Sequence, residues 1–297
     1  MKEKERAILG GPIISELGWE ILRFAPYIIY KYLNQYKNCK LIILTRPERF
    51  DLYGEYADIL VPLKIEGDYI KYKPNCFRLD NFPINKYKEI ANRFFNKYKD
   101  RYKIIDHVYP DISGKKFLHK DYYPKNQLLS NFRPRTENKK LVLNYIKQDK
   151  PWVVLSPRYR KGFKRNWPYW NKLYDIIWKS NLKSKFYFII AGKKNEYVPD
   201  KKGRFFDLND ISLNNNSSLI GITIFTVRNS ILTIGSQSAI PNLSLLLKTK
   251  VLEWGDQKLL HTKTYNYTNT EITYIDDKNF NINYEIIFNR INSLLKG

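Results

Sequence analysis

The fold of this chain is decided by residues 7–22, which read AILGGPIISELGWEIL. Ala7 to Leu9 is a short apolar run that predicts a buried strand, and the Gly-Gly-Pro turn that follows ends it. The chain then enters a helix, because Leu17 and Ile21 are apolar and one helical turn apart. A strand followed by a glycine turn and a helix is typical of an open α/β sheet, in which ligands bind at the carboxyl ends of strands.

The same alternation continues along the chain. Lys40–Thr45 is a nearly continuous apolar run, which indicates a parallel strand covered on both faces, and Asp58–Leu63 predicts a third strand. After a segment rich in proline and charge, the alternation restarts. Its strands are predicted at Trp152–Pro157, Phe186–Gly192, Ser230–Gly235 and Lys250–Gly255. The pattern predicts an α/β protein of two doubly wound, Rossmann-like domains facing a cleft.

The domain boundaries follow from this restart. Residues 1–135 form the first predicted domain, residues 136–150 a linker region flanked by prolines, and residues 151–280 the second domain. Residues 281–297 predict a final helix that has the length to pack back on the first domain. A length of 297 residues fits two domains of ordinary size.

Composition excludes several classes of protein. The chain is 43% hydrophobic, so it can bury a sizeable core, and no apolar run approaches the roughly 20 residues of a membrane span. The charged start, residues 1–6, has no signal-peptide character. The two cysteines, Cys39 and Cys76, suggest neither a disulfide framework nor a zinc site. The expected location is the cytoplasm.

Charge is the strongest bulk feature, with 52 basic against 29 acidic residues and a net charge of +23. One interpretation is a polyanionic partner, namely nucleic acid, an acidic membrane surface or a phosphorylated glycan. The other is compositional drift, because Lys, Asn, Ile and Tyr are abundant together, as in a protein from an AT-rich genome. Composition alone leaves both interpretations open.

The most informative stretch of the second half is residues 235–244, which read GSQSAIPNLS. A buried strand runs there into small hydroxyl residues that open an apolar helix. Backbone N–H groups, hydroxyls and the positive end of a helix suit a phosphate or a sugar. Ordinary N-capping by Ser236 or Ser238 is the alternative. The candidate binding residues in this stretch are Ser236, Gln237, Ser238 and Asn242.

A basic loop follows the first strand of the second domain. Residues 155–168 read LSPRYRKGFKRNWP and carry five basic side chains at the carboxyl end of a strand. Arginine suits phosphate because its planar fork engages two oxygens at once. The candidates are Arg158, Arg165 and Lys161, with Ser156 at the strand end, and Gly192 closes the strand that follows. A solvated basic loop is the alternative.

Acidic residues near the first loop are unexpected in so basic a chain. Glu16 and Glu20 lie one helical turn apart, and a carboxylate facing a cleft can act as general base toward an acceptor hydroxyl. The alternative is that one of them stabilises the helix N-terminus. Glu16, being closer to the loop, is the candidate base, and Glu20 the candidate structural residue, although the two roles are open to exchange.

The acceptor side of the first loop has three further candidates. Gly10 and Gly11 permit close approach of the backbone, and His107 lies at the end of a predicted strand. The three histidines form no metal-ligand spacing, and no metal-binding pair of aspartates follows a strand. We therefore predict no metal site.

These motifs together resemble the GT-B glycosyltransferases, and in particular the family of the ADP-heptose:lipopolysaccharide heptosyltransferases, glycosyltransferase family 9. In that family an acidic residue of the first loop is the catalytic base, which the resemblance places at Glu16. A small-polar loop binds the nucleotide diphosphate, which it places at Ser236–Leu243. The segments Ser156–Arg158 and Arg165–Pro168 resemble the basic strand-end loop of the family. Val251–Gly255, with Glu253, resembles the strand beside the nucleotide.

The resemblance implies a metal-independent, inverting glycosyltransferase that uses a nucleotide sugar as co-substrate and no further cofactor. The basic first half favours a polyanionic acceptor, either DNA with a hydroxymethylated base or a phosphorylated glycan; a neutral saccharide fits if the charge is drift. The competing hypothesis is a non-catalytic nucleic-acid-binding protein on a degenerate GT-B fold. The sequence does not indicate the sugar, the nucleotide or the oligomeric state.

Overall fold

In the computed structural model of this chain, the described residues are 3–14, 17–63, 84–109, 132–133, 135–162, 165–193, 195–215, 217–259, 261–264 and 266–296. The chain divides into two compact units, Met1–Phe132 and Arg133–Gly297. Each unit has its own sheet, and every strand pairing described in the two sheets is parallel. The predicted α/β class with two parallel-sheet domains is confirmed.

The first unit contains four described strands in the order β3-β2-β1-β4. They are β1 (Arg6–Gly10), β2 (Lys40–Thr45), β3 (Ile59–Pro62) and β4 (Lys103–Val108). The described helices are α1 (Leu17–Trp19), α2 (Ala25–Tyr30) and α3 (Ile84–Lys99), with π-helical turns at Glu20–Phe24 and Lys31–Gln35 and a 3₁₀ helix at Pro47–Leu52.

Apolar periodicity explains these elements. β1 and β2 are almost fully buried, as expected for central parallel strands. On α3 the buried residues Tyr87, Phe94 and Tyr98 recur at helical spacing and pack with Leu9 and Ile42 of the sheet. The opposite face of α3 is exposed and basic, as the sequence indicates.

The second unit has six described strands in the order β10-β9-β8-β5-β6-β7. They are β5 (Trp152–Ser156), β6 (Tyr187–Ile190), β7 (Phe206–Asp207), β8 (Ser230–Ser236), β9 (Lys250–Gly255) and β10 (Ile272–Asp276). Its described helices are α4 (Thr136–Tyr145), α5 (Trp170–Lys179), α6 (Leu182–Lys185), α7 (Leu208–Asn214), α8 (Leu219–Arg228), α9 (Ala239–Leu246), α10 (His261–Thr264) and α11 (Tyr284–Lys296), with a 3₁₀ helix at Gln257–Leu259.

A cluster of aromatic side chains fills one face of this second sheet. Trp167, Trp170 and Trp254 are almost fully buried, and their ring centroids lie 4.8–5.4 Å apart. The final helix, α11, adds Ile287 and Ile291 to the same cluster and packs on α5. The buried face of α11 therefore belongs to the second unit, whereas the sequence offered the first domain as its partner.

The region predicted as a linker is also part of the second unit. Most of residues 136–150 is occupied by α4, which packs against α8 and buries Val142. No helix in the described part of the chain is long and apolar enough to cross a membrane.

The strand order creates a topological switch point in each sheet. In the first unit the chain runs outward from β1 through β2 to β3 and then places β4 on the other side of β1. In the second unit it runs from β5 through β6 to β7 and then places β8 on the other side of β5. Open α/β sheets bind ligands at such points, outside the carboxyl ends of the two strands. The expected crevices therefore lie at the ends of β1 and β4, and of β5 and β8.

Candidate functional site

The crevice of the second unit begins where β5 and β8 end. Ser156 is the last residue of β5 and is the register partner of Gly235 on β8. A Cβ atom on Gly235 would lie 2.9 Å from Cβ of Ser156 and 3.1 Å from its carbonyl oxygen. Glycine is therefore required at position 235 for the two strand ends to pack as they do.

Arg158 joins the two sides of this crevice. It lies just beyond β5, and its Nη1 donates a hydrogen bond of 2.9 Å to the carbonyl oxygen of Gln237, in the turn between β8 and α9. The predicted phosphate-binding arginine and the predicted small-polar turn, which are 79 residues apart in sequence, are thus adjacent in space. The guanidinium group is only partly buried, so part of it faces solvent.

The first turn of α9 is arranged differently from an ordinary capped helix. Ser238 occupies the N-cap position, but its side chain makes no capping hydrogen bond. Its Oγ instead lies 3.3 Å from Oγ of Ser156, across the crevice. The N–H groups of Ala239 and Ile240, in the first turn, have no intrahelical acceptor. The capping interpretation therefore does not describe Ser238, and the positive end of α9 lies beside Arg158 and two hydroxyls.

Ser236 and Gln237 have different positions from those predicted. Ser236 is fully buried at the end of β8, and its Oγ has no hydrogen-bond partner among the described residues. The side chain of Gln237 is directed to the end of β9, where its Nε2 donates to the carbonyl oxygen of Asp256 at 2.8 Å. Gly255 makes room for it, because a Cβ there would lie 2.7 Å from Cδ of Gln237. Gln237 thus contributes its backbone carbonyl to Arg158, and its side chain is structural. Asn242 is buried on α9.

The loop after β6 is hydrogen-bonded to the loop that carries Arg158. Glu196, after β6, accepts a hydrogen bond of 2.7 Å from Nε of Arg160, and its carbonyl oxygen accepts from N of Tyr159 at 2.9 Å. Asn166 bonds both the N–H and the carbonyl of Arg160, at 2.8 and 2.6 Å. Glu196 could not be found from the sequence, because only the fold brings it close to this loop.

The remaining basic and glycine candidates lie around this loop. Lys161 is exposed and Arg165 is half-buried. Gly192 packs under Tyr197, since a Cβ at position 192 would lie 2.6 Å from Cβ of that residue. The carbonyl of Gly192 accepts a hydrogen bond from Nδ2 of Asn209 at 2.9 Å. Gly192 therefore has a packing role.

Glu253 is not on the surface of the crevice. It is the register partner of Gly235 on β9, but its side chain is buried, and its Oε2 accepts a hydrogen bond of 2.5 Å from the hydroxyl of Thr262. Burial raises the pKa of the carboxyl to about 8, and the bond from Thr262 offsets only part of this effect. The structure therefore places Glu253, a candidate for donor binding from the sequence, inside the second unit rather than on its surface.

The crevice of the first unit is lined by the end of β4 and the loop after β1. Gly11 donates from its N–H to the carbonyl oxygen of Val108 at 2.8 Å, and its own carbonyl oxygen accepts from Nε2 of His107 at 2.8 Å. The next residue, Pro12, accepts from the hydroxyl of Tyr87 on α3. The structure therefore brings together His107 and the glycine loop, as the topology predicts.

Both glycines of this loop are buried. A Cβ on Gly10 would lie 2.4 Å from Cδ1 of Ile43, and a Cβ on Gly11 would lie 2.3 Å from the carbonyl oxygen of Leu44. Gly11 also has a φ of +107°, which disfavours every other residue. The close approach predicted for this pair is made to strand β2 in the structure.

The two glutamates after this loop have different outcomes. Glu16 lies outside the described residues. Glu20 is completely buried, and Thr45 and Tyr53 donate hydrogen bonds to its Oε1 at 2.9 and 2.7 Å. Its Oε2 forms an ion pair with Nη1 of Arg49, which is also buried. Glu20 therefore links the helix after β1 to the segment after β2, which is a structural arrangement.

The described residues include no group of three His, Cys, Asp or Glu side chains placed to hold a metal ion.

Comparisons with known proteins agree with this architecture. No protein-family model matches this chain, and a search of curated proteins gives no match. Among solved structures, a glycosyl transferase of family 9 from Veillonella parvula DSM 2008 is similar over 99% of this chain and 97% of its own, with a TM-score of 0.59 and 10% identity. ADP-heptose lps heptosyltransferase II from E. coli has a TM-score of 0.59 and 11% identity, over 98% of each chain.

A third similar structure is the E. coli heptosyltransferase WaaC with ADP, which has a TM-score of 0.56 and 9% identity. It covers 97% of this chain and 99% of that one. The chain has the GT-B fold. Since the likeness extends over nearly the whole length of each protein, both sheets of the GT-B fold are present in this chain.

The buried ion pair of the first unit predicts a large effect on stability. Replacing Glu20 by Gln keeps an acceptor for Thr45 and Tyr53 but removes the buried negative charge that pairs with Arg49. We expect a loss of about 3 kcal/mol in the free energy of unfolding, measured with urea. The control is Glu89→Gln, which removes an exposed ion pair with Arg93 and should cost less than about 1 kcal/mol. Equal effects of the two variants would contradict this account.

The buried carboxyl of the second unit predicts an unusual dependence of stability on pH. The folded state keeps the proton of Glu253 up to about pH 8, whereas the unfolded chain releases it near its ordinary value of 4.5. Stability should therefore fall as the pH rises through this window, by about 5 kcal/mol in all if the shift is fully expressed. Below pH 4.5 the effect is absent.

Glu253→Gln tests this directly, because the amide is neutral at every pH and still accepts from Thr262. We expect the variant to match the wild type near pH 4.5 and to exceed its melting temperature at pH 8.5. The exposed Glu271→Gln is the control and should leave the pH profile unchanged. A wild-type slope retained in Glu253→Gln would show that the carboxyl is not the cause.

Proposed function

We propose that this protein transfers a glycosyl group from a nucleotide-sugar donor to an acceptor hydroxyl. The observation that supports this most is the crevice at the ends of β5 and β8. There Arg158, the hydroxyls of Ser156 and Ser238 and the first turn of α9 lie together. A cation, two hydroxyls and backbone N–H groups at a helix N-terminus suit a diphosphate.

This arrangement also suits the chemistry of the donor. When the bond between the sugar and the diphosphate breaks, negative charge develops on the leaving phosphate oxygen. Arg158 and the positive end of α9 are fixed groups that stabilise such charge without reorganisation. We therefore propose a reaction that does not depend on a metal ion. WaaC, one of the similar structures, was solved with ADP, which supports a nucleotide as the leaving group.

We propose that the first unit provides the acceptor side and that the reaction inverts the anomeric centre. In such a reaction one displacement step joins the acceptor oxygen to the anomeric carbon, and a base removes the hydroxyl proton. Holding donor and acceptor in line favours this displacement, because the reacting atoms are already oriented. Glu16 is the base that the sequence favours.

The outer face of α3 supports a phosphate-bearing acceptor. Lys88, Arg93, Lys97 and Lys99 are all exposed on this helix, and Glu89, paired with Arg93, is its only acidic residue. A row of cations of this kind attracts a polyanion. We propose either duplex DNA with a hydroxymethylated base, which would be flipped from the stack to react, or a phosphorylated glycan.

The donor site is tested by nucleotide binding to an Arg158→Ala variant. We expect one of UDP, GDP, ADP or CDP to raise the melting temperature of the wild type, because a ligand that binds only the folded state stabilises it. Loss of a charged hydrogen-bond donor should weaken that nucleotide about 10- to 100-fold in calorimetry. The exposed Lys161→Ala, on the same loop, should bind within a few-fold of the wild type.

No stabilisation by any of these nucleotides would refute the donor site and favour the competing hypothesis, a non-catalytic nucleic-acid-binding protein. Equal binding by Arg158→Ala and the wild type would place the diphosphate elsewhere on the protein.

The acceptor proposal is tested by the salt dependence of binding to duplex DNA. Phosphate contacts make the logarithm of the affinity fall linearly with the logarithm of the salt concentration. Replacing the four exposed cations of α3, Lys88, Arg93, Lys97 and Lys99, by Gln should weaken binding and reduce that slope by about 3.6. A matched control removes four exposed cations of the second unit, namely Lys179, Lys183, Lys185 and Lys201. Binding that is absent, or insensitive to salt, would favour a glycan acceptor over DNA.

A further inference from the structure

We propose that His107 is the catalytic base of the reaction and takes the proton of the acceptor hydroxyl on its Nδ1 atom. This inference rests on the proposed function, since it names the group that activates the acceptor. It is carried by the position of His107, by the hydrogen bond that fixes its tautomer and by the apolar packing of its ring.

The position of His107 is that of a ligand-facing residue. It lies one residue before the end of β4, beside β1, and these are the two strands that define the switch point of the first sheet. The residue is half-buried rather than fully enclosed. The residue therefore lies at the crevice where a doubly wound sheet binds its ligand.

A backbone carbonyl fixes the tautomer of the ring. Nε2 lies 2.8 Å from the carbonyl oxygen of Gly11, and a carbonyl can only accept a hydrogen bond. Nε2 must therefore carry a proton, which leaves the lone pair of the neutral imidazole on Nδ1. The described residues provide no hydrogen-bond partner for Nδ1. An oriented base with a free lone pair is what proton abstraction from a hydroxyl requires.

Gly11 is itself held firmly, so the ring has a rigid support. The N–H of Gly11 bonds to Val108, and the residues after Gly11 bond to Tyr87 and to the carbonyl oxygen of Leu44. The hydrogen bond to His107 thus connects the ring to a turn anchored by three separate elements. Such support orients a base without occupying its reactive atom.

Aromatic side chains surround the ring. Phe95 stacks on it with centroids 6.0 Å apart, Phe94 meets it edge-on at 5.7 Å, and Tyr109 lies at 4.8 Å. Burial in this setting lowers the pKa of His107 below 6.5, against smaller opposing effects of the Gly11 carbonyl and Asp106. The imidazole is therefore neutral at pH 7 and able to accept a proton.

The groups that face the ring carry little charge. Phe94 and Phe95 come from α3, the Gly11 carbonyl from the loop after β1, and Tyr109 and Asp106 from the chain of β4. The one carboxylate among them, Asp106, is bonded to Lys31 at 2.5 Å and to Tyr36 at 2.9 Å. The charge of Asp106 is thus already paired with Lys31, and its carboxylate also accepts from Tyr36.

Glu20, the described glutamate after the first loop, is unsuited to take the proton of the acceptor hydroxyl. Glu20 is completely buried and is bonded to Thr45, Tyr53 and Arg49. Protonating it would break the ion pair with Arg49 in a site that solvent does not reach. Of the described residues near the loop after β1, His107 alone combines an accessible position with a free lone pair.

The acceptor O–H proton moves to Nδ1 of His107 while the acceptor oxygen forms a bond to the anomeric carbon. The bond from that carbon to the diphosphate oxygen breaks, and its electron pair leaves with the nucleoside diphosphate. The imidazolium then returns its proton to solvent, which restores the neutral base.

Two variants separate a catalytic role from a structural one. Gln at position 107 retains a donor near the position of Nε2, so His107→Gln can still bond to Gly11, but it has no basic nitrogen. His107→Phe removes both functions and keeps the aromatic ring. We expect both variants to lower kcat about 100- to 10,000-fold while the nucleotide that stabilises the wild type binds with unchanged affinity. Turnover is measured as release of nucleoside diphosphate from the donor.

The pH profile gives a second readout. A histidine base must be unprotonated, so kcat/KM of the wild type should fall tenfold per pH unit below its pKa, which lies under 6.5. His107→Gln should lose this acidic limb. The exposed Glu271→Gln, tested in parallel as the control, should keep the limb and retain kcat within a few-fold. Near-wild-type turnover in His107→Gln with loss only in His107→Phe would overturn the inference and assign His107 a structural role.

Loss of turnover in Glu16→Gln, with an acidic limb near the pKa of an ordinary carboxyl, about 4.3, would also overturn it in favour of Glu16. In both of these outcomes nucleotide binding and transfer by the wild type persist, so the proposed function stands. Failure of the proposed function is a separate result, in which the wild type itself neither binds a nucleotide nor turns over a donor.

Discussion

The second unit depends on one steric constraint, the contact between the ends of β5 and β8 at Gly235. Because Gly235 has no side chain, the carbonyl and Cβ of Ser156 lie within about 3 Å of the space that a Cβ would occupy. The same glycine faces Pro241 of α9, so it also sets how closely that helix begins beside the sheet. Arg158 reaches the turn at Gln237 only because the two strand ends meet here. The constraint thus brings two distant segments of sequence together at one edge of the sheet.

In the first unit, glycines also allow close packing at the strand ends, but through a different set of contacts. Gly10 and Gly11 allow the loop after β1 to pack on Ile43 and Leu44 of β2, and His107 closes the loop from the other side. In this unit the glycines bring the loop against strand β2, and the side chain of His107 on the neighbouring strand bonds to the same loop. The two strand ends therefore differ in chemistry, with a guanidinium group at one and an imidazole at the other.

Much of the fold was predictable because its strands are central and parallel. Continuous apolar runs gave β2 and β9 their observed bounds, and the strand-end rule located Arg158 and the turn that it bonds. By contrast, α8 reads as a strand, since Ile and Thr alternate along it. It is a helix because it is buried on nearly every side and because Thr223 and Thr226 bond to carbonyls four residues earlier. Tertiary burial overrode local propensity at this element.

The site residues show a sharper limit of sequence reasoning. Glu253 and Glu20 both occur next to predicted ligand loops, and no pattern in the sequence shows that each is buried inside its own unit. Their environments differ as well, because Glu20 has a cation and two donors, whereas Glu253 has only the hydroxyl of Thr262. An acidic residue near a cleft is thus weak evidence for a base, since burial decides whether a proton can reach it. His107 was a weaker candidate from sequence. The hydrogen bond to the carbonyl of Gly11 nevertheless orients its ring, and it leaves Nδ1 without a bond to any described residue. Both glutamates, by contrast, are buried and already hydrogen-bonded.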